Sequence, residues 1–335
     1  MKTIAFFNNK GGVGKTTLVY HIACTIAEQG QTVLAVDLDP QANLTSMFLS
    51  EDQLEILWPD GEHPQTVYGA LSPIIRGLGD VKTPHVEQVN ERLGLVVGDL
   101  ALSTFEDKLS DAWPRCQLKD ESAFRTMTAF YRGMKGAAES SSARWILIDV
   151  GPNLGAINRA ALLASEYVVV PLGPDLFSLQ GLRNLGPSLR SWRRSWTDLL
   201  AKNPVPGLDL PTGTIEPLGY VVMQHGMREN RPPKAYQRWI ERFPAAYREY
   251  VLDKPEQSSP AAADDPYCLA MLKHYRSLMP MAMEARKPVF ALKAADGAIG
   301  AHGYAVQSAG QDFLALAEKI ADRCGASLGQ PRSGT

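Results

Sequence analysis

Glycines, lysines and threonines are grouped near the start of the chain, in the segment Lys10-Gly11-Gly12-Val13-Gly14-Lys15-Thr16-Thr17. Glycines allow successive backbone N–H groups to converge on the oxygens of a phosphate, which side chains would obstruct. Lys15 is placed to reach the β- and γ-phosphates of a nucleotide, and the Thr16 hydroxyl can bind Mg²⁺. We therefore predict that Gly11–Thr17 binds the phosphates of a nucleotide.

Three aspartates are the candidate partners of this loop. Asp37 and Asp149 each end a short apolar run typical of a buried strand, and Asp39 follows Asp37 by two residues. In an open parallel sheet, ligands bind outside the carboxyl ends of the strands, where these side chains would lie. Mg²⁺ is commonly held by one or two carboxylates together with water and substrate phosphates. Thr16, Asp37 and Asp149 are therefore the candidate magnesium residues.

The elements that must position these residues alternate along the chain. The glycine-rich loop lies between a predicted strand at residues 4–7 and a predicted helix at residues 16–28. Further buried strands are predicted at residues 32–36, 93–97, 145–148, 167–170 and 218–223. Strands separated by helices indicate parallel pairing with helices on both faces. The fold class is therefore α/β, a doubly wound, mostly parallel sheet of the P-loop NTPase kind.

The double-lysine loop KGGVGKTT resembles the deviant Walker A motif of ParA/MinD-type ATPases. Further blocks resemble the same family in the same order. They are a first switch at residues 36–45, a strand-turn-helix segment at 93–109, a Walker B strand with a second switch at 146–152, a strand and helix at 168–182, and a C-terminal block at 287–319. The resemblance covers nearly the whole chain except residues 225–285.

This resemblance implies roles for the site residues. Lys10, which has no role in an ordinary phosphate loop, would reach the nucleotide of the other subunit in an ATP-bound homodimer. Asp39 would position the attacking water, so the catalytic candidates are Lys10, Lys15 and Asp39. The implied cofactors are ATP and Mg²⁺. The implied reaction is slow ATP hydrolysis, which a ParB-like or other activator protein would stimulate.

The motif positions also predict the domain organisation. A single P-loop ATPase domain is expected over residues 1–325, followed by a flexible tail at 326–335. Residues 225–287 are expected to form an extended helical and loop insertion, because the family core does not need them. The second switch reads Asp149-Val150-Gly151-Pro152, where the family commonly has Asp-Thr-Pro-Pro. Gln224-His225 stand where the base-binding strand of the family often ends near an Asn.

An arginine and tryptophan cluster at residues 189–196 contains Arg190, Arg193 and Arg194. On a helix, Arg190 and Arg194 share a face, and contacts to DNA phosphates need only such cations. By resemblance, these arginines would bind double-stranded DNA without sequence preference. The ATPase would then partition a plasmid, chromosome or other cargo. The alternative is a solvated helix face whose tryptophans pack inward.

Composition limits the other function classes. The formal net charge of −2 excludes a strongly basic, histone-like protein, and the four cysteines show no C-x-x-C spacing for a metal site. No apolar stretch approaches the ~20 residues of a transmembrane helix. The last helical segment, at residues 313–323, is Ala-rich and lacks Trp. No stable membrane anchor of the MinD kind is therefore expected, and the expected location is the cytoplasm, in association with the nucleoid.

Two alternatives stay open at this point: a ParA-like ATPase subunit of a mobile-element or anti-phage defence system, and a MinD-like membrane-associated positioning ATPase. The 225–287 extension makes the first of these credible. A synthetase of the amidoligase kind would need a dedicated substrate pocket, and an iron-protein reductase would need paired interface cysteines. The sequence identifies neither feature.

Overall fold

The computed structural model describes residues 1–223, 233–255 and 259–329, with the backbone alone for residues 233–235. Eight strands in these ranges form one sheet. In chain order they are β1 (Lys2–Phe6), β2 (Val33–Asp37), β3 (Glu87–Asn90), β4 (Leu93–Val96), β5 (Trp145–Asp149), β6 (Tyr167–Leu172), β7 (Glu216–Met223) and β8 (Cys268–Leu272). Their order across the sheet is β3-β4-β2-β5-β1-β6-β7-β8, and every neighbouring pair is parallel except β3–β4 at one edge. The predicted fold class is confirmed.

Helices connect the strands and cover both faces of the sheet. They are α1 (Lys15–Glu28), α2 (Asn43–Phe48), α3 (Glu51–Leu57), α4 (Val67–Ile75), α5 (Phe105–Cys116), α6 (Glu121–Met127), α7 (Ala129–Ser141), α8 (Ala156–Leu163), α9 (Leu176–Leu200), α10 (Pro233–Ile240), α11 (Phe243–Ala246), α12 (Leu278–Ala285) and α13 (Ala301–Arg323). A π-helical turn, Tyr247–Val251, continues α11. In the part of the chain that the structure describes, no helix combines the length and apolarity that crossing a membrane requires.

Strand β1 shows why its sequence reads as one continuous apolar run. Ile4 and Phe6 are buried with α1 and α13 on one face, whereas Ala5 and Phe7 are buried with α5–α9 on the other. Successive side chains of a strand point to opposite faces, so a strand covered on both sides needs apolar residues at every position. The sheet therefore separates two hydrophobic cores, and its carboxyl edge is left free for polar residues.

The insertion expected at residues 225–287 is not made of helices and loops alone. Its residues Cys268–Leu272 form β8, which pairs in parallel with β7 and completes the sheet. The apolar run is only five residues long, so it carried too little periodicity to separate a strand from a buried helix. The edge strand β3 was missed because three of its four residues are polar and its positions alternate between partly buried and exposed. Gln224 and His225 lie outside the described residues.

The first residues of the tail expected at 326–335 are packed against the domain. Leu328 is buried, and its backbone carbonyl accepts a hydrogen bond from the Gln31 side chain at 2.8 Å. The chain is therefore packed against the domain as far as Leu328. Residues 330–335 of the expected tail lie outside the described part of the chain.

Candidate functional site

The loop between β1 and α1 has the backbone conformation that its glycines permit. Gly12 and Gly14 have φ angles of +71° and +87°, in the left-handed region that residues with a Cβ rarely adopt. Gly14 is also the N-cap of α1 and, as a glycine, has no side chain with which to cap the first turn of that helix. The first-turn N–H groups and the positive end of the helix dipole thus remain available for an anion.

Lys15 starts α1 from a buried position beneath this loop. Its ammonium group donates a long hydrogen bond, 3.3 Å, to the backbone carbonyl of Lys10. Burial lowers the pKa of Lys15, while the nearby charges of Asp149 and Asp39 oppose that shift. Lys15 is therefore a buried cation beside the loop, with which the phosphate oxygens of a nucleotide could form charge-assisted hydrogen bonds.

Asp37 and Asp149 lie directly opposite each other, because β2 and β5 are neighbours in register. Both residues are fully buried. Asp37 accepts hydrogen bonds from the backbone N–H and the hydroxyl of Thr45, each at 2.8 Å. Neither carboxylate oxygen of Asp149 has a hydrogen-bond partner among the described residues. Asp149 is therefore the carboxylate that an incoming cation or its water would find available.

Burial is the largest influence on the pKa values of both carboxylates. Burial raises the pKa of Asp37 to about 7, against the lowering effect of its hydrogen bonds from Thr45. Burial, reinforced by the negative charge of Asp37, raises the pKa of Asp149 well above its usual range. The nearby Thr16 hydroxyl and the positive charge of Lys15 lower this pKa, but by less. Two buried carboxylates side by side favour either a shared proton or a bound cation.

Asp39 lies near Asp37 and Asp149, two residues beyond the end of β2. Its side chain is 6% exposed, and one oxygen accepts a hydrogen bond from the backbone N–H of Gln41 at 3.0 Å. Gly151 lies near the same oxygen, and a Cβ added to Gly151 would crowd it at 3.3 Å. The second-switch glycine thus makes room for the first-switch aspartate.

Lys10 has a partner within its own chain, contrary to the expectation that it lacks a role there. Its ammonium group pairs with the carboxylate of Asp175, and it lies 5.9 Å from the centre of the Phe177 ring. The other oxygen of Asp175 caps α9 by accepting a hydrogen bond from the Ser178 N–H at 2.9 Å. The residue spacing Asp175-x-x-Ser178 is an N-cap signal, but it gives no indication of the pairing with Lys10.

Asn8 and Asn9 stand where the standard phosphate-loop pattern begins. The Asn8 amide donates to the carbonyl of Pro171 at 2.7 Å, and its carbonyl oxygen accepts from the Lys10 N–H at 3.0 Å. Gly181 of α9 packs against both asparagines, because a Cβ there would lie within 2.8 Å of their side-chain oxygens. The loop is thus held from outside by β6 and α9.

The three arginines of α9 do not form the shared exposed patch that their spacing suggested. Arg190 donates a hydrogen bond to the backbone carbonyl of Tyr250 and lies 3.6 Å from Asp253. Arg193 is half-buried, and burial lowers its pKa. Arg194 is exposed. The segment after α11 packs on α9 beside these side chains, a contact that helical periodicity does not predict.

A small cavity adjoins the start of α1. Its lining residues come from α1, from the carboxyl ends of β7 and β8, from the segment that follows β8, and from α12 and α13. They are Thr17, Met223, Leu272, Lys273, His274, Tyr275, Met279 and Phe313. Apolar side chains with a few polar groups are typical of pockets for the planar part of a ligand.

Comparisons with known proteins agree with this geometry. The family model AAA_31, described as an AAA domain, matches residues 1–201. The chain is 32% identical over 189 residues to the sporulation initiation inhibitor protein Soj of Bacillus subtilis, covering 56% of this chain and 65% of Soj. The chain spans 42–65% of the length of the curated relatives it matches.

Solved structures resemble the chain over nearly its whole length. Protein DIP2308 of Corynebacterium diphtheriae has a TM-score of 0.71 at 24% identity, covering 97% of this chain and 99% of that one. A complex of a variant of Cyanothece McdA with ATP has a TM-score of 0.63 at 16% identity, covering 98% of this chain and 97% of that one. At these identities the likeness shows the fold.

Proposed function

We infer the function of this chain from the premise that it belongs to the AAA_31 family of AAA domains and is a ParA-like P-loop ATPase. We propose that it binds ATP with Mg²⁺ at residues 11–17, hydrolyses the ATP slowly, and couples this cycle to the partitioning of a cargo. Soj is named for its effect on sporulation, and the McdA complex contains ATP. An inhibitor among the relatives and a similar fold in complex with ATP both support a regulator that works with a nucleotide.

The buried, unpartnered carboxylate of Asp149 is the observation that carries this proposal. Asp149 lies across from Asp37 at the carboxyl edge of the sheet. It is close enough to Lys15 and Thr16 for both to lower its pKa. An isolated buried carboxylate is costly unless a cation or hydrogen-bond donor accompanies it. Asp149 could obtain that partner from a magnesium ion that enters with the nucleotide.

The donor set fits magnesium. The Thr16 hydroxyl and the carboxylate of Asp149 would hold the ion and its waters, and Asp37, already fixed by Thr45, would support them. When bound, Mg²⁺ neutralises the charge that develops on the transferred phosphoryl group. Lys15 would bind the phosphates, and Asp39 would orient a water toward them. The adjoining cavity beside Thr17 is the candidate site for the base.

Two variants test the division of roles. Lys15→Ala should weaken ATP binding by more than about tenfold, because it removes the buried cation that contacts the phosphates. Asp39→Ala should bind ATP nearly as well as the wild type and lose about a hundredfold in kcat, a typical cost for a group that handles the reacting water. Lys135→Ala is the matched control, since Lys135 pairs with Asp209 away from the site. Equal loss of binding in Lys15→Ala and Asp39→Ala would contradict these assignments.

We propose that ATP also controls self-association. Lys10 can act on the nucleotide of a second copy only after leaving Asp175, so the pair in one chain would compete with the dimer. Leu176 and Phe177 are exposed beside Lys10, and such apolar residues suit a contact face. A ParB-like or other activator would accelerate hydrolysis in the dimer.

We propose that the dimer binds double-stranded DNA without sequence preference, and that the protein therefore associates with the nucleoid. Arg194 and Arg183 are the exposed arginines of α9 that support this binding, whereas Arg190 and Arg193 are partly buried and hydrogen-bonded to backbone carbonyls of the same chain. A membrane anchor is not part of the proposal, because the apolar side of α13 packs against α1 in the core.

A further inference from the structure

Helix α8, which follows the second switch, is capped by a residue from another helix. Its N-cap, Gly155, provides no side-chain hydrogen bond. Instead, the two carboxylate oxygens of Glu106 in α5 accept hydrogen bonds from the N–H groups of Ala156 and Ile157, at 2.6 and 2.8 Å. A carboxylate at a helix N-terminus forms charge-assisted hydrogen bonds and interacts favourably with the helix dipole.

Gly155 is complementary to this contact. A Cβ at residue 155 would lie 2.7 Å from Oε1 of Glu106, so the carboxylate approaches as closely as it does because residue 155 has no side chain. The φ angle of Gly155 is −74°, which any residue can adopt. The glycine is needed here for space rather than for its backbone freedom.

Helix α8 in turn holds the second-switch loop. Asn158, on the first turn of α8, is 1% exposed. Its side-chain amide donates to the backbone carbonyls of Gly151 and Asn153, at 2.8 and 2.6 Å. The loop between Asp149 and Gly155 is therefore tied back to the helix that Glu106 holds.

Gly151 completes the connection to the candidate catalytic residue. It lies near the carboxylate of Asp39, since a Cβ added to Gly151 would come within 3.3 Å of Oδ1. A continuous series of contacts thus runs from Glu106 through Asn158 and Gly151 to Asp39. A shift of the start of α8 by even a fraction of an ångström would therefore change the distance between Gly151 and the Asp39 carboxylate.

We propose that Glu106 is a positioning residue for hydrolysis, which fixes Asp39 through α8 and the second-switch loop. The inference rests on the proposed ATPase function. Glu106 does not contact the phosphate loop in the described structure, and its role is to hold α8 so that Gly151 and Asp39 keep their separation. Removing its charge should therefore impair turnover while leaving nucleotide binding intact.

Glu106→Gln is the principal variant. A glutamine keeps the shape of the side chain, but only its amide oxygen can accept a hydrogen bond from α8. Its NH₂ group would face the second backbone N–H, donor against donor. We expect kcat to fall about tenfold with KM within about twofold, in the range typical of residues that orient functional groups indirectly. We also expect faster hydrogen exchange in peptides covering residues 150–158 of the nucleotide-free protein.

Two further variants make the test specific. Gly155→Ala removes no charge but displaces the Glu106 carboxylate and also the Asn153 side-chain oxygen, which would lie 2.8 Å from the new Cβ, so it should lower kcat at least as far as Glu106→Gln does. Asp120→Asn is the matched control, because Asp120 caps α6 through the Ala123 N–H at 3.1 Å and pairs with Arg115, but has no contact with the switch. The control should leave kcat and the exchange of residues 150–158 unchanged.

The outcomes separate this inference from the function on which it rests. A wild-type chain without ATPase activity contradicts the proposed function and this inference together. An active wild type with unchanged kcat in Glu106→Gln overturns the inference alone. Loss of ATP binding in parallel with kcat, or equal losses in the Asp120→Asn control, shows a general structural role for Glu106 and also overturns it.

Discussion

The two buried carboxylates of the site differ in how many hydrogen bonds stabilise their charged form. Asp37 receives two hydrogen bonds from Thr45, whereas Asp149 on the next strand receives none from the described residues. The cost of burying an unpartnered carboxylate is several kcal/mol unless the group takes up a proton or a cation. That asymmetry indicates a site that is completed by its ligand.

His21 gives a separate test of a single buried residue. It is fully buried one turn beyond Thr17, donates from Nδ1 to the Thr17 carbonyl at 2.7 Å and accepts at Nε2 from the Val289 N–H at 3.1 Å. The bond accepted at Nε2 requires the neutral ring, and burial lowers the pKa of His21 to about 4. His21 therefore connects α1 to the C-terminal block as a structural residue.

The lowered pKa of His21 predicts a pH dependence of stability. Between pH 6.5 and pH 4 the unfolded chain binds a proton that the folded chain excludes, so stability falls as the pH falls through this window. We expect this residue to contribute a loss of about 2 kcal/mol between pH 7 and pH 5. Urea unfolding at the two pH values should show a smaller loss for His21→Gln than for the wild type.

The control for this measurement is His85→Gln, since His85 is exposed beside Glu87. It should retain the pH dependence of the wild type. A His21→Gln variant whose stability falls as steeply as that of the wild type would contradict the assignment of a neutral buried ring.

At the scale of elements, α9 positions the phosphate loop from outside. Its N-cap, Asp175, holds Lys10, and Gly181 packs against Asn8 and Asn9. Asn8 cannot turn away freely, because it is 1% exposed and bonded to both Pro171 and the Lys10 N–H. The loop conformation thus depends on a helix whose N-cap lies 165 residues after Lys10.

We expect Gly181→Ala to weaken nucleotide binding by about tenfold, because overpacking of this kind costs on the order of 1–3 kcal/mol and the loop would absorb the displacement. Isothermal titration with ATP and Mg²⁺ measures the effect. Gly303→Ala is the matched control, since Gly303 lies in α13 with open space around its Cβ position. Its helix should gain slightly in stability with binding unchanged. Equal affinities of Gly181→Ala and the wild type would show that α9 does not constrain the loop.

At the scale of the whole molecule, the pairing of Lys10 with Asp175 places two states in competition. In one state the lysine is neutralised within its own chain, and in the other it would serve a second copy. Nucleotide shifts such an equilibrium only by binding one state more tightly than the other. ATP, which carries one more phosphate than ADP, offers Lys10 the additional charge.

We expect a non-hydrolysable ATP analogue, but not ADP, to convert the wild type to a dimer in sedimentation experiments, and Lys10→Ala to stay monomeric with both. DNA binding should follow the dimer, because two linked weak sites bind far more tightly than one. Fluorescence anisotropy on a mixed-sequence duplex should show affinity falling with salt, by a log–log slope of about −0.9 per phosphate contact.

Two variants serve as controls for this prediction. Arg194→Ala should dimerise normally and flatten the salt dependence of DNA binding, whereas Lys135→Ala should change neither. Dimerisation of Lys10→Ala to the wild-type extent would refute the role of Lys10 in the partner's site. Failure of the dimer to bind DNA at low salt would refute the proposed attachment to the nucleoid.

The features that the sequence determined are those encoded by neighbouring residues. The phosphate loop was predictable because its glycines, lysine and threonine are contiguous, and the steric preferences of glycine act locally on the backbone. The central strands were predictable because burial on both faces demands unbroken apolar runs. Asp37 and Asp149 could be placed at one edge because each ends such a run in a parallel sheet.

Only the tertiary structure decided which distant residues meet these local features. Asp175 reaches Lys10 across 165 positions, and Glu106 reaches α8 across 50. Arg190 donates a hydrogen bond to the backbone of Tyr250, which packs on α9. Strand β8 joins the sheet from a segment that the sequence predicted to be an insertion of helices and loops. Such contacts depend on how helices and strands pack on one another, and neither local sterics nor periodicity carries that information.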